Sequence, residues 1–256
     1  MIDQRGEMIA VMANAVAEAR HMLTVPEQRL VLWLIAQIER DDDALREYTL
    51  HVAEFREILG QTENGRLYER MEDACNRLQT RVLELRTGPD EWTKINWMHY
   101  VRYMVREGRI ALQFHDHLKP VLLELRERFC QIPLRAVFQL RGGYAIRWLE
   151  VLHSRRHQGS FFLSAEELRH WLHIEPDELR TSAHLHQRAI DYPRQELDAK
   201  APLTFTAAPR KFGRKIAGWT ITVKENKPKP TKAKRARNPC PCGGSRPAGC
   251  PRRRPP

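Results

Sequence analysis

The sequence predicts an α+β, mainly helical chain that uses one supersecondary unit twice and then trails into a disordered basic tail. Three observations lead there. In each half, helical periodicity gives way to strand alternation, so that helices are followed by a hairpin. The pattern Glu54-Phe55-Arg56-Glu57-Ile58-Leu59 returns as Glu167-Leu168-Arg169-His170-Trp171-Leu172 at an offset of 113 residues, and a polar turn, a longer helix and a hairpin follow each copy. Beyond Lys224 the chain turns rich in Pro, Lys, Arg and Gly and loses apolar periodicity, which leaves it nothing to bury.

A first helix is read over Met8 to Met22. A second starts at Thr24, where Glu27 completes a capping box and Pro26 is harmless in the first turn; Leu30, Trp33, Leu34 and Ile38 mark its buried face. Tyr48 to His51 reads as a strand, Ala53 to Leu59 as a helix stopped by Gly60, and Asn64 or Gly65 opens a helix with Tyr68, Met71, Cys75, Leu78 and Val82 on one stripe. Trp92 to Val105 and Arg109 to Phe114 meet at Glu107-Gly108 as a hairpin, and a helix is expected over Asp116 to Phe129. Pro133 and Gly142-Gly143 bracket a short connecting helix. The order then repeats: a helix over Tyr144 to His157, a capping box at Ser164 to Glu167, a long helix over Arg180 to Ala199, and a hairpin with Trp219, Ile221 and Val223 on one face. Pro193 removes a helix bond to Ala189, so a kink is expected there. Helices closed by a hairpin are the winged-helix plan, in which the last helix enters the major groove and the hairpin contacts the backbone. The expected division is a first domain over 1–132, a second over 133–224 and a tail over 225–256.

Net charge is +11 and the pI about 9.7, but residues 224–256 carry +10 of it, leaving +1 for everything before them. Bulk charge therefore says nothing about the folded part, and a polyanion surface there requires cations gathered on one face. At 100° per residue, Leu179, Ala183, His186, Ile190 and Leu197 share an arc of the long helix, while Arg180, His184, Gln187, Arg188, Asp191 and Arg194 lie opposite. Arg, Gln and carboxylate side chains match the donor and acceptor edges of guanine, adenine and cytosine. The hairpin after that helix carries Arg210, Lys211, Arg214 and Lys215 with no acid, a pattern suited to clamping phosphates. The equivalent helix and hairpin of the first half offer Arg66, Arg70, Arg77 and Lys94 in a more mixed charge pattern.

These pieces together resemble the iteron-binding replication initiators of bacterial plasmids, which have two winged-helix domains. The resemblance covers roughly residues 8–224. It is carried by Leu23-Thr24-Val25-Pro26-Glu27-Gln28-Arg29-Leu30, by 140–150 around Arg141-Gly142-Gly143-Tyr144, by Leu163-Ser164-Ala165-Glu166-Glu167-Leu168-Arg169, by Gln187-Arg188-Ala189-Ile190-Asp191 with Glu196-Leu197, and by Lys211-Phe212-Gly213-Arg214-Lys215-Ile216. It implies binding to short direct repeats of double-stranded plasmid origin DNA and recruitment of host replication proteins such as a helicase or initiator. A self-paired dimer, joined through the first domain, would repress the protein's own promoter.

Two other readings compete: a winged-helix transcription repressor without an origin role, and a rolling-circle nickase. The nickase would use His184-Leu185-His186 as metal ligands and Tyr144 or Tyr192 as nucleophile. Histidines two apart diverge by about 200° on a helix, which disfavours it. The sequence has no phosphate-binding Gly-x-x-x-x-Gly-Lys-Ser/Thr loop, so ATP-driven unwinding is not expected. The expected protein is a non-catalytic DNA binder without a cofactor. Asn238 to Ser245 resembles the opening of the zinc-binding SEC-C motif, but Cys240, Cys242 and Cys250 are one ligand short of a structural zinc site, and no metal is expected. No apolar run is long enough for a membrane span, and the thiol usage suits the cytoplasm.

Overall fold

A computed structural model describes residues 6–39, 42–59, 67–86, 88, 91–125, 128–213 and 215–226. The tail beyond residue 226, with its three cysteines, lies outside them. The first half runs β1 (Ile9–Ala13), α1 (Asn14–Glu18), β2 (Arg20–His21), α2 (Val25–Gln37), β3 (Glu47–His51), α3 (Val52–Leu59), α4 (Leu67–Thr80), β4 (Val82–Arg86), β5 (Trp92–Asn96), β6 (Met98–Met104), β7 (Arg109–Phe114), α5 (Lys119–Leu122), β8 (Phe129–Pro133) and α6 (Leu134–Gln139). The second runs α7 (Gly143–Ser154), β9 (Ser160–Ser164), α8 (Ala165–Trp171), α9 (Ser182–His186), a π turn at Gln187–Asp191, α10 (Tyr192–Lys200), β10 (Leu203–Phe212) and β11 (Lys215–Glu225).

The two halves share one topology. In each, a strand enters a pair of helices and then pairs antiparallel with the last strand of the closing hairpin, giving the orders β3-β7-β6 and β9-β11-β10. The repeated six-residue motif falls on α3 and α8, the helices that follow those entering strands. Its Phe55 and Leu168 are fully buried, which is why the motif survives as a pattern. The strands of the second sheet approach closely at Gly218, where a Cβ would sit 2.2 Å from the Leu163 carbonyl oxygen. Only glycine fits that crossing.

Three expected helical stretches differ. Met8 to Met22 is β1, α1 and β2, with β1 paired to β8 in a two-stranded sheet. Ile9, Ala10, Val11 and Met12 are all buried, so the strand shows no alternation and reads like a helix. Asp116 to Phe129 holds a 3-10 turn and the single turn α5 before Phe129 joins β1 as a strand partner. The α4 stripe ends at Thr80, because Val82 opens β4, which forms a second small sheet with β2 and β5. Trp97, buried where β5 turns into β6, splits the stretch read as one segment.

The halves are joined by polar contacts to α7 and its surroundings. Glu18 accepts from Arg155 at 2.6 Å, Asn14 donates to the Ser154 carbonyl at 3.0 Å, and Arg147 donates to the Ala19 carbonyl at 2.7 Å. Arg20 pairs with Glu175 at 2.6 Å, and the Trp92 ring lies 5.3 Å from that of His170. Burial, followed by the charges of Arg147 and His173, holds His21 well below the usual histidine range, so it stays neutral beside Glu150. These bonds fix the platform on which the last helix pair rests.

Candidate nucleic-acid interface

The helix from Ser182 to Lys200 is the centre of the site. Arg169 shapes its approach by donating to the carbonyls of Glu175, Glu178 and Leu179 at 2.8–3.0 Å, which holds Leu179 at φ +42°, a conformation unfavourable for a branched side chain. Thr181 caps the helix, its hydroxyl accepting from the His184 amide at 3.2 Å. Leu185, Ala189, Ile190, Pro193 and Leu197 are buried against the domain.

Proline at 193 deprives the Ala189 carbonyl of its helical donor. The buried Trp148 indole N–H on α7 replaces it at 2.6 Å, and the Trp148 ring stacks on Phe205 of β10 with centroids 4.2 Å apart. The helix answers with a π turn over Gln187–Asp191 rather than a break. That turn changes the angular phase, so one uniform wheel does not serve both ends of the helix. Ala183, read with the apolar arc, is exposed because buried Leu185, about 200° round, faces the domain, and His186 is half-buried. Glu196 fastens the C-terminal part, accepting from the amides of Arg141 (2.7 Å) and Gly142 (3.0 Å) and from Lys200 (2.6 Å). Burial pushes its carboxyl up, but these three donors outweigh that and hold it below the ordinary glutamate value.

On the outer side Arg180, His184, Gln187 and Arg188 are exposed. Arg180 is steadied by the Asp177 carbonyl at 3.0 Å, and the Arg188 guanidinium lies over the Tyr192 ring at 5.4 Å. Arg194 differs: half-buried, it donates to Asp191 at 3.3 Å, and Asp191 also faces His186 at 3.5 Å. The imidazoles of His184 and His186 are not together, since His186 stacks on buried Trp219 while His184 is exposed. On the hairpin, Arg210, Lys211 and Lys215 are exposed. Arg188, Arg210, Lys211 and Lys215 make no ion pair among the described residues.

The first half is built otherwise. Arg77 donates to Glu27 at 3.0 Å, and Arg81 donates to the other oxygen of the same fully buried carboxylate at 3.2 Å. Lys94 pairs with Glu84 directly across β4 and β5 at 3.1 Å. Arg70 is exposed on α4. Arg66 and Arg214 lie outside the described residues. Sequence reasoning passed over the roles of Arg169, Glu196 and Trp148, which position the helix without facing solvent; the spacing of Arg188 and Tyr192, one helical turn apart, did advertise their contact.

A family model described as "Initiator Replication protein, WH1" matches residues 9–153, and its companion "Initiator Rep protein, WH2" matches 164–223. The chain belongs to the initiator replication protein family. A "Replication initiation protein" of Escherichia coli is 24% identical over 180 residues, a stretch that covers 66% of this chain and 55% of that one, so the chain spans little more than half its curated relative's length. Among solved structures, the Pi initiator protein in complex with iteron DNA matches with a TM-score of 0.69 at 16% identity, covering 86% of this chain and 98% of that one. This likeness establishes for the initiator replication protein the fold of two winged-helix domains. No helix among its described residues is long and apolar enough to cross a membrane.

Proposed function

We propose that this initiator replication protein binds repeated double-stranded origin DNA, the iterons of a plasmid, and acts there without catalysis of its own. The observation that supports this most is the helix Ser182–Lys200, which turns His184, Gln187 and Arg188 to solvent alongside Arg180 just before it, and is followed by a hairpin whose Arg210, Lys211 and Lys215 are exposed and make no ion pair among the described residues. Arginine and glutamine side chains on a helix read base edges, and hairpin cations hold phosphates. The Pi initiator's complex with iteron DNA makes the same use of this fold a natural reading. Residues 133–224 are the principal DNA-reading domain. Residues 1–132 contribute the surface for self-pairing, through which a dimer represses the protein's own promoter, and Arg70, Arg77 and Lys94 as secondary contacts, weak ones for Arg77 and Lys94 because each is already engaged by a carboxylate. Arg66 and Arg214 complete the contact set. Strand opening falls to host replication proteins in the cytoplasm, and binding energy with DNA bending prepares the origin for them.

Footprinting on the DNA beside the coding region, with full-length protein and with residues 1–226, tests the proposal. Protection of direct repeats spaced about two helical turns apart supports it. Protection confined to one palindrome makes the protein a repressor, and relaxation of supercoiled plasmid in the presence of a divalent metal makes it a nickase.

A further inference from the structure

The strands β10 and β11 are longer than the sheet that carries them. Their partner β9 covers β11 only over Gly218–Thr222, so beyond the Arg210–Gly218 pair the hairpin is a two-stranded ribbon with no third strand beside it. A register shift between Arg210 and Lys211 bends it at that point. The last register pair is Phe212 with Lys215, and Gly213 takes φ +61° to begin the tight reversal.

At this tip Phe212 is 86% exposed, the most exposed large apolar side chain among the described residues. The domain gives it no contact to stabilise, although a phenyl ring in water is unfavourable by its whole apolar area. Polar residues would serve the turn better. The same end of the hairpin carries the exposed cations Arg210, Lys211 and Lys215, with Lys215 the register partner of Phe212, and these would draw it onto a polyanion rather than onto an apolar protein surface. Both features suit one partner: duplex DNA, whose phosphates take the cations while an apolar wedge enters the minor groove and parts two stacked base pairs.

We infer that Phe212 is such a wedge, inserting between base pairs and kinking the duplex at the edge of each bound repeat. This rests on the DNA-binding reading above and adds to it the residue that kinks the duplex and the place where the kink falls. Phosphate clamping alone needs only the cations. A wedge favours flexible pyrimidine–purine steps, so Phe212 would also confer sequence preference at a position where no side chain hydrogen-bonds a base.

The test uses the full chain with Phe212→Ala and Phe212→Leu, a duplex of the direct repeats beside its own coding region, and a random duplex of equal length. Each duplex carries 2-aminopurine at its pyrimidine–purine steps, and bending is read by the mobility of circularly permuted fragments. The wild-type protein is expected to raise 2-aminopurine fluorescence and bend the repeat duplex. Phe212→Ala should abolish both signals and weaken binding about tenfold, the scale of one lost aromatic stack. Phe212→Leu, still a wedge, should keep most of the bend. Thermal unfolding of all three proteins should coincide, since the ring touches no core residue. Bending and fluorescence unchanged in Phe212→Ala overturn the wedge. Failure of the wild type to prefer repeats over random DNA instead overturns the repeat-reading function, and the fluorescence change on the random duplex then still decides the role of Phe212.

Discussion

The helix α4 of the first half and the helix pair α9 and α10 of the second occupy the same place in one topology, yet their charges are spent differently. In α4, Arg77 turns back to a buried glutamate, and on the neighbouring sheet Lys94 is matched by Glu84. In the second half Arg188 rests on an aromatic ring, and the hairpin cations meet no acid among the described residues. A cation already bonded to carboxylate must give up that partner before it can serve a phosphate, and the exchange gains little. A duplicated unit can thus keep its backbone plan while one copy uses its arginines as struts and the other keeps them for a partner.

Glu27 is the position where a substitution should have the largest effect. Replacing it with Ala orphans Arg77 and Arg81 and the Thr24 amide, which Glu27 now accepts at 2.8 Å. Urea unfolding should show a loss of about 3 kcal/mol, the low end for breaking a buried ion pair because both arginines still reach water. An unchanged midpoint would mean that the arginines of α4 are not struts. Next in size, Arg188→Ala should cost about 1–3 kcal/mol on a repeat sequence and much less on random DNA. Equal losses on both would remove Arg188 from base reading. Lys211→Ala should weaken all duplexes alike and reduce the slope of log K against log salt by about 1. Lys94→Ala is expected to change stability by no more than about 0.5 kcal/mol, as for other exposed pairs. A large loss of DNA affinity from that last variant would show that the first half reads DNA on equal terms.

Much of this architecture was legible in the chain. The capping boxes at Thr24 and Ser164 are present, the α6 connector lies between its proline and glycines, and the repeated motif lands on equivalent helices. These are local signals, set by hydrogen bonds within a few residues. What went unread were strands whose partners lie far away: β1 needs β8 from the other end of the first half, and buried on both faces it lacks the alternation that marks a strand. The polar face of the last helix is visible as a pattern, though Arg194 is held by Asp191 and Ala183 is exposed, since Leu185 rather than Ala183 faces the domain and the π turn breaks the single wheel.

The duplicated helix-and-hairpin order, the helix starts and the clustering of cations on the second hairpin are all written along the chain, since each depends on near neighbours. Which cations are engaged is settled by packing in three dimensions. Glu27 meets Arg77 and Arg81 across a packed core, Trp148 supplies the donor that Pro193 withholds, and the end of β9 at Ser164 leaves the hairpin tip with no third strand beside it. Each of these depends on residues brought together through space, and no periodicity records who those partners are.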